Sequence, residues 1–292
     1  MDRERRRHGR AVRVGELLTR LRTTDASSAT MRSLVLLTVV LGACTRSSSN
    51  ESPRPAAEPD QAATASRRSV DELIVARDAL SGFVEPLLAS TAVDVVKVAP
   101  DEARSRASLE RLQVTTHSTL GALVFYTGGL VLDHGWLRIV GGPTESFPYD
   151  PWTLAEAFGL AGEDPERAEM LIVGIDRLGG LFALDGGALG RPGKVAYFSP
   201  DSLRWEPLDS NHSEFVAAMV SGAVVDFYAE SRWTGWQDEI ANLEPSQGIS
   251  MVPPPWTEES RPYERTTRRP VPFREIVGLE LDVARQIGAA GE

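Results

Sequence analysis

Residues 130–140, "LVLDHGWLRIV", decide how the chain is read. Asp133-His134-Gly135 interrupts an apolar run, with "LVL" before it and "WLRIV" after it. Asp and His tolerate tight turns and Gly135 can take positive φ, so the trio is good turn chemistry between two strands. On one continuous strand, Asp133 and His134 would point to opposite faces and could not serve each other as an acid–base dyad. The turn is the stronger reading, and it makes this stretch a hairpin.

The surrounding runs repeat the pattern. "LGALVFYTGG", "MLIVGIDRLGG", "LFALDGG" and "KVAYFSPDSLRWEPL" are short, apolar and closed by turns, with Gly-Gly doublets at 128–129, 141–142, 179–180 and 186–187. They predict a mostly antiparallel sheet of about five or six strands. Helical periodicity flanks it on both sides. "SVDELIVARDALSGFVEPLL" opens with Ser69 and Glu72 in capping-box spacing, a short strand "VDVVKV" follows, and "APDEARSRASLERLQVTT" is a second helix. After the sheet, Asn211 and Glu214 can cap "SEFVAAMVSGAVVDFYAES", followed by helices in "WTGWQDEIANL" and "FREIVGLELDVARQIG". The Pro- and charge-rich "SMVPPPWTEESRPYERTTRRPVP" between the last two reads as a surface excursion. Helices, sheet, helices is an α+β order, expected as one domain over residues 69–292.

Charge bounds the partners. The 292-residue chain carries a net charge of −10; nine of its 31 basic and four of its 41 acidic residues fall in 1–43, leaving −15 on the rest. That surface repels phosphate backbones, which argues against nucleic acid, and against a polybasic membrane face. An acidic domain instead expects a basic protein partner.

The one cysteine, Cys44, excludes an intramolecular disulfide and a cysteine-based metal cluster. It closes "MRSLVLLTVVLGAC": Arg32 is the charged start, Leu34–Leu41 the apolar stretch, and Leu41-Gly42-Ala43 the small-residue site. Residues 31–44 thus resemble a bacterial lipoprotein signal. The resemblance implies that 31–43 are removed and that Cys44 carries acyl chains, anchoring the protein at the cell envelope, facing the periplasm. Thr45 is compatible with an outer-membrane destination. Residues 44–68, rich in Ser, Pro and Ala, read as a tether. Residues 1–30 fit poorly ahead of such a signal and are expected to be an extension upstream of a true start at Met31.

Chemistry is harder to find. His8, His117, His134 and His212 form no H-E-x-x-H or H-x-H pattern, so no metal is expected. "GALGRPGKV" at 187–195 has the wrong glycine spacing for a phosphate loop, and Val195 follows its lysine. There is no G-x-S-x-G elbow. Trp136, Trp205, Trp233, Trp236 and Trp256 are expected to pack in the core, although tryptophans at a sheet end also line binding grooves.

"LQVTTHSTLGALVFYTGGLVLDHGWLRIVGG", "DRLGGLFALDGG", "YFSPDSLRWEPL", "RWTGWQDEI" and "RRPVPFREIVGLELDVARQ" together resemble the bacterial domain of unknown function 2625, over about residues 70–288. No established activity comes with that resemblance. "YFSPDSLRWEPL" followed by a helix opening "SEF" is also loosely similar to the SUKH superfamily of α+β binding modules, many of them immunity proteins. These resemblances imply a non-catalytic, protein-binding function without a cofactor. The expected surface is Asp133, His134, Trp136, Asp176 and Arg177. The alternative expectation is an envelope hydrolase with Asp133, His134 and Asp176 as its catalytic groups.

Overall fold

The hairpin around Asp133 forms the second and third strands of a seven-stranded sheet in a computed structural model that describes residues 67–289. The expected signal sequence, Cys44 and the expected tether as far as residue 66 lie outside the described residues. The strands are β1 (Val95–Lys97), β2 (Leu130–Leu132), β3 (Leu137–Ile139), β4 (Met170–Asp176), β5 (Leu181–Asp185), β6 (Val195–Ser199) and β7 (Arg204–Pro207). Their order in the sheet is their order in the chain, and every pairing is antiparallel. The fold is therefore α+β, with one strand more than the upper expectation. The short "VDVVKV" segment between two helices pairs with β2 and becomes an edge of the sheet.

Register sorts the side chains. Val131, Arg138 and Ile175 are paired across β2, β3 and β4 on one face; Leu132, Leu137 and Asp176 are paired on the other. Phe182 and Tyr197 pack with Phe215 and Phe227 from the helices that follow the sheet, with ring centroids 4.7–5.6 Å apart.

Among the described residues, helices α1 (Val70–Leu73), α2 (Glu85–Ser90), α3 (Glu102–Leu112) and α4 (Thr119–Tyr126) come before β2 and α5 (Pro151–Ala157) comes before β4. The remaining α-helices are α6 (His212–Ala218), α7 (Val224–Phe227), α8 (Trp236–Ala241) and α9 (Phe273–Ala289). Local chemistry sets their starts: Asp101, Ser118, Asp150 and Asn211 each accept a backbone N–H at an N-cap. Asn211 and Glu214 form the reciprocal box that their spacing predicts, at 2.9 and 3.0 Å.

Two segments depart from expectation. The first predicted helix breaks after Leu73, because the backbone of residues 73–79 bonds to Thr116 instead: Val75 N donates to Thr116 Oγ1 and Ala79 N to Thr116 O. The Pro-rich excursion forms a second, two-stranded sheet from β8 (Gln247–Val252) and β9 (Thr267–Pro272). Ile249 and Met251 on β8 are its buried residues, and β9 adds paired backbone.

Helix α9 carries the strongest apolar stripe. Phe273, Ile276, Val277 and Leu281 are buried at helical spacing, and Glu280 occupies a position on the same stripe.

Candidate functional site

In a meander whose order follows the chain, the β2–β3, β4–β5 and β6–β7 turns all lie at one end of the sheet. Each turn holds an aspartate: Asp133, Asp176 and Asp201. Their surroundings differ.

Asp133, His134 and Gly135 have φ of 54°, 53° and 92°, and Trp136 N closes the turn on Asp133 O at 3.0 Å. Asp133 is 6% exposed and forms an ion pair with Arg232. The Arg232 guanidinium lies 4.5 Å over Trp236 and 5.6 Å from Trp136, whose buried ring also meets Tyr228 and Trp233. His134 turns outward: its side chain is 48% exposed, its backbone N–H donates to Asp94, and its Nδ1 is 3.7 Å from Asp94 Oδ2. The turn thus separates the adjacent pair, one residue inward and the other outward.

Asp201, in the β6–β7 turn, likewise has a cation. Arg261 Nη2 reaches its Oδ2 at 2.9 Å while stacking on Tyr263 at 4.1 Å.

Asp176, on the central turn, has none among the described residues. It is 3% exposed and accepts four neutral hydrogen bonds, from Leu178 N (2.8 Å), Gly180 N (2.9 Å), Tyr197 Oη (2.7 Å) and Tyr228 Oη (3.1 Å). Burial still outweighs these donors and raises its carboxyl above the ordinary aspartate value. Glu280 of α9 lies against the same turn. It is 1% exposed, and neither carboxyl oxygen has a hydrogen-bond partner. A Cβ on Gly179, whose φ is 96°, would come within 2.6 Å of Glu280 Oε2, so the turn needs glycine there. Burial, reinforced by the charges of Asp176 and Asp201, holds the Glu280 carboxyl well above the usual range, so its surroundings favour the protonated form.

Arg177 joins the turns. Its backbone N–H donates to Trp136 O, its Nε to Gly135 O (2.8 Å), and its Nη1 to Glu244 O and Gln247 O (3.1 and 2.6 Å). The two stretches nominated from sequence are therefore neighbours. Asp133, His134 and Asp176 each have a different partner, and of the three only His134 faces solvent. Trp136 is a core residue and Arg177 a staple. Among the described residues, no group of three or more His, Cys, Asp or Glu is placed to hold a metal ion.

Sequence reasoning missed Glu280, Tyr197, Tyr228 and Arg232. Glu280 had a signal, as an acid on an apolar stripe. The others lie 21 to 99 residues from the aspartates they serve, and nothing local marks them.

Comparison with known proteins agrees with the resemblance to the domain of unknown function 2625. The chain is 34% identical over 219 residues to the uncharacterized protein YbfG of Escherichia coli strain K12, covering 74% of this chain and 97% of that one. It is 35% identical over 156 residues to an uncharacterized protein of Haemophilus influenzae Rd, covering 52% of this chain and 67% of that one. No solved structure matches it. The model of DUF2625, a protein family of unknown function, matches residues 70–276, and the chain belongs to that family.

Proposed function

We propose that the protein is a non-catalytic binding module, held at the cell envelope through a lipidated Cys44, that presents the turn end of its sheet to a basic protein partner. The observation that carries this reading is the internal commitment of the turn aspartates. It fixes the three turns as a platform and leaves His134 and Asp94 displayed at the rim, with Asp238 and Glu244 exposed on the segments packed beside them. Loops positioned by a rigid scaffold commonly carry binding residues, and exposed acids favour cationic partners. The anchor rests on residues 31–44 and the tether after them. Among the described residues, no helix is long and apolar enough to cross a membrane. The loose SUKH similarity favours the same binding role, of the immunity type.

The test is a pull-down of the tagged, lipidated protein from its own envelope, with Cys44→Ala and Asp94→Arg/Asp238→Arg variants alongside. One stoichiometric partner, lost on charge reversal while the melting temperature holds, supports the reading. No partner for a folded wild type overturns it.

One observation favours the hydrolase alternative. Asp176 and Glu280 are neighbouring carboxyls of unequal surroundings, an arrangement used for acid–base work. Hydrolysis of an envelope substrate that depends on pH and is lost in His134→Ala would establish it.

A further inference from the structure

On the sheet face opposite the Asp176 side chain, two guanidiniums share a cleft. Arg138 projects from β3 between Val131 and Ile175, and Arg177 comes from the adjoining turn. Arg138 is 8% exposed. Its Nη2 donates to Gly128 O at 2.7 Å, its plane lies 4.2 Å over Phe147, and its Nε has no hydrogen-bond partner. Arg177 bonds only to the carbonyl oxygens of Gly135, Glu244 and Gln247. Neither arginine has a carboxylate within ion-pair distance among the described residues, on a chain with a net charge of −10. Asp176 contributes to the cleft wall, but its carboxylate is held by the two tyrosines.

Buried cations are ordinarily paired, because a carbonyl dipole does not replace a counter-charge in a poorly solvated site. Here a buried guanidinium, Arg138, and a half-buried one, Arg177, sit together. Burial lowers both guanidiniums to about 10, and in Arg138 the neighbouring charge of Arg177 adds to the effect. Between them is a cavity of about 20 Å³, enough for one water-sized group.

We propose that this cleft binds one small carboxylate group between Arg138 and Arg177. Planar guanidinium forks match carboxylate geometry, and a cavity of this size takes one oxygen of the group and excludes a bulkier oxyanion. The carboxylate could come from a free small acid or from a peptide C-terminus, two sources of the same chemistry. This site is separate from the rim proposed for the protein partner, and either reading can fail alone.

The test uses the full chain, with ionic strength held constant by a bulky buffer anion. Acetate, acetyl-Ala-Ala and its C-terminal amide are titrated while the melting temperature and the line width of ¹³C-acetate are followed. The expected result is a saturable rise of about 3–6 °C at tenfold excess over Kd, with broadening of the acetate line. Arg138→Met should abolish both, and the exposed-site control Arg285→Gln should retain them. A larger rise with the free dipeptide than with acetate assigns a peptide terminus; equal rises assign a free acid. The amide should do nothing. If Arg138→Met does not fold, the wild-type titration decides. No saturable shift and no broadening with either carboxylate, or an equal response to the amide, overturns the proposal.

Discussion

The central turn of the sheet and its two neighbours solve one problem in different ways. All three carry an aspartate. On the outer turns, Asp133 and Asp201 are met by arginines that stack on aromatic rings, Arg232 on Trp236 and Arg261 on Tyr263. On the central turn, Asp176 is met by two amides and two phenols, and a second acid, Glu280, is packed beside it. The outer turns are neutralised by opposite charge. The central one relies on hydrogen bonds around Asp176 and on burial that favours the protonated form of Glu280. Burial raises both carboxyls of the central turn, so the second solution carries a pH dependence of its own.

The largest expected effect is on the central turn. Asp176→Ala leaves two buried amides and two buried hydroxyls without their acceptor and should cost about 3–5 kcal/mol in chemical denaturation. A cost below about 1 kcal/mol would break the comparison, because hydrogen bonds would then not be what holds that turn.

Asp133→Ala should cost about 2–3 kcal/mol by leaving Arg232 unpaired against Trp136. Adding Arg232→Met should return much of that loss, since an ion pair can be replaced by apolar volume whereas half of one cannot be left behind.

Titration sharpens the contrast. His212 is buried with both ring nitrogens unpartnered, and burial lowers it to about 4 from 6.5. In that window the unfolded chain binds a proton that the folded one refuses, so stability falls as pH drops from about 6.5 to 4, by about 3 kcal/mol. His212→Leu should flatten that limb of a Tm–pH curve. Glu280 acts with the opposite sign. Its folded carboxyl is raised, so stability is highest below the unfolded value near 4.5 and falls as pH climbs toward the folded one. Glu280→Gln should therefore raise Tm by a few degrees at pH 8 and much less at pH 5. An equal gain at both would mean that packing, not the proton, is responsible.

The smallest effect is expected at His134. His134→Ala should change stability by less than about 0.5 kcal/mol, because the outward ring has only Asp94 and the edge of Trp236 beside it.

Legibility in the sequence followed the range of each interaction. The Asp-His-Gly turn, the Asn211–Glu214 box and the antiparallel sheet are written within a few residues, and each was readable. Glu280 was missed although its place on the Phe273–Leu281 stripe marks an acid set among buried apolar positions. Arg138, between Leu137 and Ile139, sits at the alternating position that ordinarily faces water, and only the sheet's covered second face makes it unusual. The pairings of Asp133 with Arg232 and of Asp176 with Tyr228 span 99 and 52 residues, and no local pattern encodes them. The β8–β9 sheet escaped because β9, "TRRPVP", contributes paired backbone and no apolar alternation of its own.

The agreement of strand order with chain order has a consequence for how the molecule is made. Each strand of the large sheet finds its partner in the segment just synthesised, so β1 to β7 can assemble in sequence as the chain emerges, at little cost in loop closure. Helix α9, which brings Glu280 against Gly179, arrives last. Docking of this helix therefore carries the Glu280 carboxyl from water into a site that favours its protonated form, and the acidity of the surroundings bears on how readily the helix closes over the central turn.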